Sequence, residues 1–419
     1  MTNKRKIIND PVHGFIAVEH PLVFDLLEHP YMQRLRHIKQ VALGHYVYPG
    51  ATHSRFHHAL GAMHLLNMGI EVLRSKGHRI TPDEAQAAAA AILLHDVGHG
   101  PFSHALEHSL AEGVEHETLS RLLMQRLNAE LGGQLDMAMA IFDNRYHKRF
   151  LHQLISSQLD VDRLDYIRRD SFYTGVTEGT IGSERVIKML NVVDDNLVIE
   201  AKGIYSIEKF LIARRLMYWQ VYLHKTVVAA EQTLIQMLQR AKAVARHDGD
   251  LEASPALRYF LQRNITAERF AHPSPSDDPL AHFVMLDDAD IMVAAKRWMA
   301  HPDTALATLA QMLVHRRLPA IALKNAPFPP SQLDDLHQQL RAQHPELAPH
   351  AHHFVFSSTV SIRAYQPGNE SIKVLYNNGH LADIAEASDI LRTGALSNEA
   401  TKHFLCYPKH LLRAPAQWT

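Results

Sequence analysis

The stretch that most constrains this fold is residues 81–96, Thr-Pro-Asp-Glu-Ala-Gln-Ala-Ala-Ala-Ala-Ala-Ile-Leu-Leu-His-Asp. Thr81 suits an N-cap, Pro82 suits the first helical position, and Glu84 completes a capping box. The alanines and leucines that follow are apolar around most of the helix circumference, so this helix must be packed on all sides. It therefore carries His95 and Asp96 into the interior, where Val97 and Gly98 open a turn bearing His99 and His104. A helix end followed by glycine lets an imidazole and a carboxylate from adjacent residues splay toward one point. Neutral imidazole and carboxylate suit Mn, Mg, Fe, Ni or Zn, without distinguishing among them, and the pattern reads as a metal-centred hydrolytic site. The dipeptide alone is weak, because the chain has 31 histidines and repeats the pair at His247-Asp248. That second pair lies in Ala-Arg-His-Asp-Gly-Asp and reads as a solvated loop.

Composition narrows the classes. With 419 residues, 46% hydrophobic and 21% charged, the chain can bury a large core, and its length suggests about two to three domains. The opening Met-Thr-Asn-Lys-Arg-Lys-Ile-Ile lacks the apolar centre of a secretory signal, and no stretch approaches the ~20 apolar residues of a membrane span. The expectation is a cytoplasmic protein with no membrane partner. A single cysteine, Cys406, excludes an intrachain disulfide and any cysteine-rich zinc module. A net charge of −1 argues against bulk affinity for nucleic acid or acidic membranes, while a local basic patch can still hold phosphates.

The expected organisation is mainly helical, with helices over 21–28, 58–75, 81–94, 116–131, 145–157, 162–169 and 207–246. Strand signals are scarce before residue 300. Later, 319–323, 353–365 and 371–376 alternate or bunch β-branched and aromatic residues between breakers. Pro- and Ser-rich stretches at 272–279 and 325–330 are the expected loops. The expectation is therefore a helical catalytic body over 1–246 and a smaller mixed α+β carboxy-terminal lobe over 247–419 packing on it.

Two further segments carry chemistry. In residues 49–61, Arg55 and His58 share one helical face, which offers either an imidazole with a phosphate-binding guanidinium or a His-rich amphipathic helix start. Residues 160–170, Asp-Val-Asp-Arg-Leu-Asp-Tyr-Ile-Arg-Arg-Asp, place carboxylates at helical spacing, most of them suited to solvation or pairing.

Taken together, Arg55-Phe-His-His58, His95-Asp96-Val-Gly-His-Gly-Pro-Phe-Ser-His104 and Asp160-Val-Asp-Arg-Leu-Asp-Tyr166 resemble the HD-domain deoxynucleoside triphosphate triphosphohydrolases, in the branch that contains the sterile-alpha-motif and HD-domain enzyme of animals. Further likeness lies in residues 8–14, 33–40, 46–53 and 222–225, so it covers about residues 6–230 well and the remainder thinly. With only five residues before Lys6, the expectation is that the sterile-alpha-motif domain of that branch is missing.

The resemblance implies an HD-domain helical core with His58, His95, Asp96 and Asp162 as ligands of a divalent metal ion. Water activated there would attack the α-phosphorus of a deoxynucleoside triphosphate, yielding a deoxynucleoside and inorganic triphosphate. His104 resembles the general acid for the departing 5′ oxygen, oriented by Glu107 where the family usually has aspartate, and His99 and His116 resemble phosphate contacts. Gln40, Tyr166, Asp170 and Tyr222 fall at sugar-binding positions, and Arg55 and Arg163 at phosphate-binding ones, Arg163 in place of the usual lysine. The tyrosines suit ordinary core packing equally well. Lys6, Asn9, Gln33 and Arg36, with Glu28 in place of aspartate, match a regulatory guanine-nucleotide site of some family members, and they suit a subunit interface as well. The expected partners are a deoxynucleoside triphosphate, a regulatory nucleotide and further copies of the chain in a dimer or tetramer. Two other classes share the metal set: an HD phosphohydrolase acting on a monophosphate, a signalling nucleotide or a short oligonucleotide, and a non-catalytic nucleotide sensor.

Overall fold

The computed structural model describes residues 6–103, 109–111, 113–249, 251–274, 276–362, 365–366, 368, 371–389 and 399–409. The fold is mainly α. Its centre is the helix Pro82–Leu94, with Ala85 and every residue from Ala87 to Leu94 buried. Thr81 accepts the Glu84 amide proton at 3.2 Å, and Glu84 accepts that of Thr81 at 2.8 Å. Helix Arg55–Ser75 packs against it and, on another side, against helix Val161–Thr174. Gly61 makes the second contact possible: a Cβ there would lie 2.0 Å from Asp165 Oδ1 and 2.2 Å from Arg169 Nη2. Glycine is required where one helix presses on a buried ion pair of the next.

The amino-terminal half holds strands that its sequence announces weakly. β1 (Lys6–Asp10) and β2 (Gly14–Val18) form an antiparallel hairpin. The Asp10 carboxylate accepts the amide protons of Val12 and His13 at 3.0 and 2.8 Å, building a turn out of a side chain. β3 (Leu190–Val193) and β4 (Asn196–Glu200) pair across Asp194 and Asp195, both at positive φ of 48° and 59°. That is the twist a two-residue hairpin demands, met here by aspartates rather than by the usual Asn-Gly.

The carboxy-terminal part contributes β5 (Ala320–Lys324), β6 (Phe356–Ile362), β7 (Lys373–Leu375), β8 (Leu381–Asp383) and β9 (Ala400–Tyr407). β5 and β6 flank β9 in an antiparallel sheet. β7 joins β4 in parallel register, so a late segment completes a sheet begun in the helical body. The boundary expected near residue 246 falls at the end of helix Lys225–Asp248, which packs against Pro255–Gln262 and Thr304–Val314.

Two expectations, one of a helix and one of a loop, are corrected. The helix expected over 207–246 is two helices, Ile204–Met217 and Lys225–Asp248, separated by a π-helical turn at Tyr218–Tyr222. His224 ends that turn, because its ring accepts the Thr226 amide proton at 3.2 Å and caps the second helix. Helical residues Ala241–Arg246 carry the second helix through His247-Asp248 before Gly249, at φ 78°, ends it. This pair therefore lies at a helix end and not in a loop, and His247 is exposed.

Candidate active site

Three helices and one turn converge on a single point. His58 comes from the first turn of Arg55–Ser75, His95 and Asp96 from the end of the central helix, and Asp162 from the first turn of Val161–Thr174. One donor atom each of His58, His95 and Asp162 lies within 4.8 Å of the others. Asp162 Oδ1 is 2.9 Å from His58 Nε2 and 3.4 Å from His95 Nε2. Asp96 adds an oxygen 3.4 Å from His95 Nε2 and another 3.9 Å from His58 Nε2.

The tautomers are set from behind. His58 Nδ1 donates to the Asp165 carboxylate at 2.8 Å, and His95 Nδ1 donates to the Ile92 carbonyl at 2.6 Å. Neither acceptor can donate, so each ring turns its Nε2 lone pair inward, and both buried Nε2 atoms have no hydrogen-bond partner. Inward orphan nitrogens backed by Nδ1–H donation are what a divalent cation requires. The His/Asp clusters thus fit divalent metal binding, with His58, His95 and Asp162 in one group and Asp96, His99 and His116 in another.

The electrostatics agree. Burial alone would depress the imidazoles, but Asp162 and Asp165 outweigh it and raise His58 to about 10. At His95 burial is likewise outweighed, first by Asp96 and then by Asp162, and the value is about 8. Burial opposes the charge on Asp96, yet His95, His99 and Arg55 hold it well below the usual carboxylate range.

Residues 55–170 match the HD domain, and residues 181–260 match the HD associated region. A phosphohydrolase of Bacteroides thetaiotaomicron shares 52% identity at a TM-score of 0.92, covering 96% of this chain and 99% of that one. The chain belongs to the HD-domain phosphohydrolases. The uncharacterized protein YwfO of Bacillus subtilis is 30% identical over 98% of this chain and 94% of its own length. Human deoxynucleoside triphosphate triphosphohydrolase SAMHD1 is 30% identical over 266 residues, which span 52% of this chain and 42% of that protein.

Beside the imidazole–carboxylate cluster this HD phosphohydrolase has a cavity of about 470 Å³, in the range of small-molecule sites. Gln40, Arg55, Arg163, Tyr166, Asp170 and Tyr222 all line it, together with Asp96, His99, His116 and Asp162. The π-helical turn supplies Tyr218, Val221 and Tyr222 to its wall. Asp170 is fixed from two sides, by His53 Nε2 at 2.6 Å and by the Tyr222 hydroxyl at 2.5 Å. The buried Tyr166 hydroxyl and Gln40 Oε1 have no hydrogen-bond partner. Arg55 donates to Asp96 Oδ2 at 2.5 Å and to Ser103 Oγ at 2.7 Å. His99 stacks on His116 with ring centres 3.9 Å apart, and burial followed by Arg55 holds His99 well below its usual value. A larger open groove of about 790 Å³ includes Val12, Arg168 and Phe172 but none of the imidazole–carboxylate cluster.

The remaining expected residues lie elsewhere. Lys6 pairs with Glu28 at 2.8 Å, Arg36 donates to Gln33 at 2.8 Å and stacks over Phe56, and Asn9 faces Phe15 in the hairpin. None of these five lines the cavity. His104 and Glu107 lie outside the described residues.

Several supporting residues escaped the sequence reading. Asp165, fully buried, also takes His13 Nε2 at 2.7 Å and Arg169 Nε at 2.8 Å, and Arg169 in turn grips Asp10 at 2.7 Å. A hairpin residue and a helix residue thus lock the carboxylate that orients His58. Arg34 is buried and holds the His99 carbonyl with both terminal nitrogens, at 3.0 and 2.7 Å. Ser120 accepts the Gly98 amide proton and donates to the His95 carbonyl, tying the turn to the following helix. The available signal was the third carboxylate in Asp-Val-Asp-Arg-Leu-Asp, one turn after Asp162 and so facing the same neighbour.

Proposed function

We propose that this protein hydrolyses deoxynucleoside triphosphates to a deoxynucleoside and inorganic triphosphate. The observation that carries the reading is that one cavity brings Asp96 and Asp162 of the imidazole–carboxylate cluster together with two arginines and a tyrosine–aspartate pair of the kind that grips a sugar. A divalent metal would supply Lewis acidity toward the α-phosphate and activate water there. Arg55 and Arg163 offer guanidinium forks to the phosphate oxygens, and His99 and His116 line the same wall. Asp170, already oriented by His53 and Tyr222, keeps lone pairs for a sugar hydroxyl. The Tyr222 ring would crowd a 2′ hydroxyl and favour deoxyribose. His104 would protonate the departing 5′ oxygen with Glu107 orienting it, since imidazole titrates near neutrality. His104→Ala should then keep its metal and lose the chemical step.

Lys6, Asn9, Glu28, Gln33 and Arg36 form our candidate regulatory nucleotide site, and a cytoplasmic homo-oligomer, dimer or tetramer, is the state in which we expect it to act. The division into a catalytic body and a carboxy-terminal lobe belongs to the same reading. The deciding experiment incubates the protein with a panel of dNTPs and NTPs, with Mn or Mg and with or without GTP, and resolves products by chromatography. Intact triphosphate from dNTPs supports the reading. Pyrophosphate, orthophosphate or no turnover sinks it, and a monophosphate, signalling-nucleotide or oligonucleotide substrate becomes the better assignment.

A further inference from the structure

We infer that Asp288, from a helix outside both matched family segments, is a positioning residue that holds the turn after His95-Asp96 in its working shape. The turn is strained: Phe102 and Ser103 both sit at positive φ, 51° and 55°, which side chains larger than glycine rarely adopt. Such a conformation persists only where its surroundings over-determine it. Two contacts do so. Asp288 Oδ1 accepts the Phe102 amide proton at 2.9 Å, and Ser103 Oγ accepts from Arg55 Nη2 at 2.7 Å. The same Arg55 holds the metal-facing Asp96 at 2.5 Å. A continuous chain of contacts therefore runs from Asp288 through Phe102, Ser103 and Arg55 to Asp96.

Asp288 is itself well anchored. It opens the helix Asp288–Trp298, it is buried, and its second oxygen accepts the Lys39 amide proton at 3.0 Å. Lys39 adjoins Gln40, which lines the cavity. One carboxylate thus clamps two backbone segments that lead into the cavity lining at Gln40 and Ser103, and charge-assisted hydrogen bonds are strong ones. Losing it would release strain at residues 102–103 and let Arg55 drift from Asp96, while His58 and His95 keep their own backing from Asp165 and the Ile92 carbonyl.

The inference rests on the HD phosphohydrolase reading of the cavity, and its test has one arm that does not. Asp288→Ala, Asp288→Asn and the control Ile291→Val, which loosens the same helix from its buried face, are compared with wild type. Metal content, melting temperature, dNTP turnover and amide hydrogen exchange over residues 97–103 are read for each. In Asp288→Ala, exchange at Phe102 should rise at least about tenfold. Its kcat should fall by about ten- to a hundredfold, with KM within about twofold and metal content unchanged, as expected when a reacting constellation is displaced by about 1 Å. Asp288→Asn keeps one acceptor oxygen and should fall between. Unchanged exchange in Asp288→Ala, or equal acceleration in Ile291→Val, overturns the inference. If wild type turns over no dNTP, the triphosphohydrolase reading fails, and the exchange arm still decides the role of Asp288.

Discussion

The two His-Asp pairs make an instructive comparison, because locally they resemble each other. Both end a helix and both have a glycine soon after. His95 and Asp96 finish a helix buried on every side, so their side chains meet those of two other helices, and the inward Nε2 atoms of His58 and His95 are left without a hydrogen-bond partner. His247 is exposed near the end of its helix. Among the described residues, His247 belongs to none of the groups of histidines and carboxylates close enough to share a metal ion. A functional dipeptide is distinguished by what surrounds it.

The comparison breaks first at its stronger member. His95→Ala and Asp96→Ala should each lose metal, measured by plasma mass spectrometry, and reduce hydrolysis to background. Full metal occupancy with normal turnover in Asp96→Ala would remove the site altogether. A smaller effect is expected one layer out. Asp165→Asn leaves all four ligands but weakens the acceptor behind His58, and should reduce metal affinity by about 10- to 100-fold. Isothermal titration with Mn reads it, and an unchanged affinity would show that His58 needs no backing.

The pH dependence sharpens the contrast further. In the metal-free protein, burial is outweighed by carboxylates, and His58 and His95 stand at about 10 and about 8, above the ordinary 6.5. Folded values that are raised mean that the ion pairs stabilise fully below pH 6.5 and fade as pH climbs through 8 toward 10. The metal competes with those protons, so its apparent affinity should rise at least about tenfold from pH 7 to pH 8. A flat affinity would mean that both rings are already neutral. The smallest effect belongs to the second pair: His247→Ala should change stability by no more than about 0.5 kcal/mol and leave metal content untouched, as thermal melts and metal analysis will show.

Residues close in sequence were legible for a physical reason. The capping box at Thr81 and Glu84, the all-round apolar helix and the glycine turn are local, so periodicity and turn chemistry report them directly. The π-helical turn was not legible, since Tyr218–Tyr222 continues an unbroken helical pattern. Nor was the support of His58, because Asp10, His13, Asp165 and Arg169 are ordinary charged residues until hairpin and helix meet.

The sequence by itself determined that a buried helix must end in an imidazole and a carboxylate, because no other arrangement hides so much alanine and leucine. Only the tertiary structure decided what that end would meet. It brought His58 and Asp162 onto one point, stacked His99 on His116, and sent Asp288 back across 186 residues to hold Phe102. Burial makes the difference: in the dry interior an unpaired charge or a strained turn survives only if distant residues arrive to compensate it, and the local sequence carries no record of which ones do.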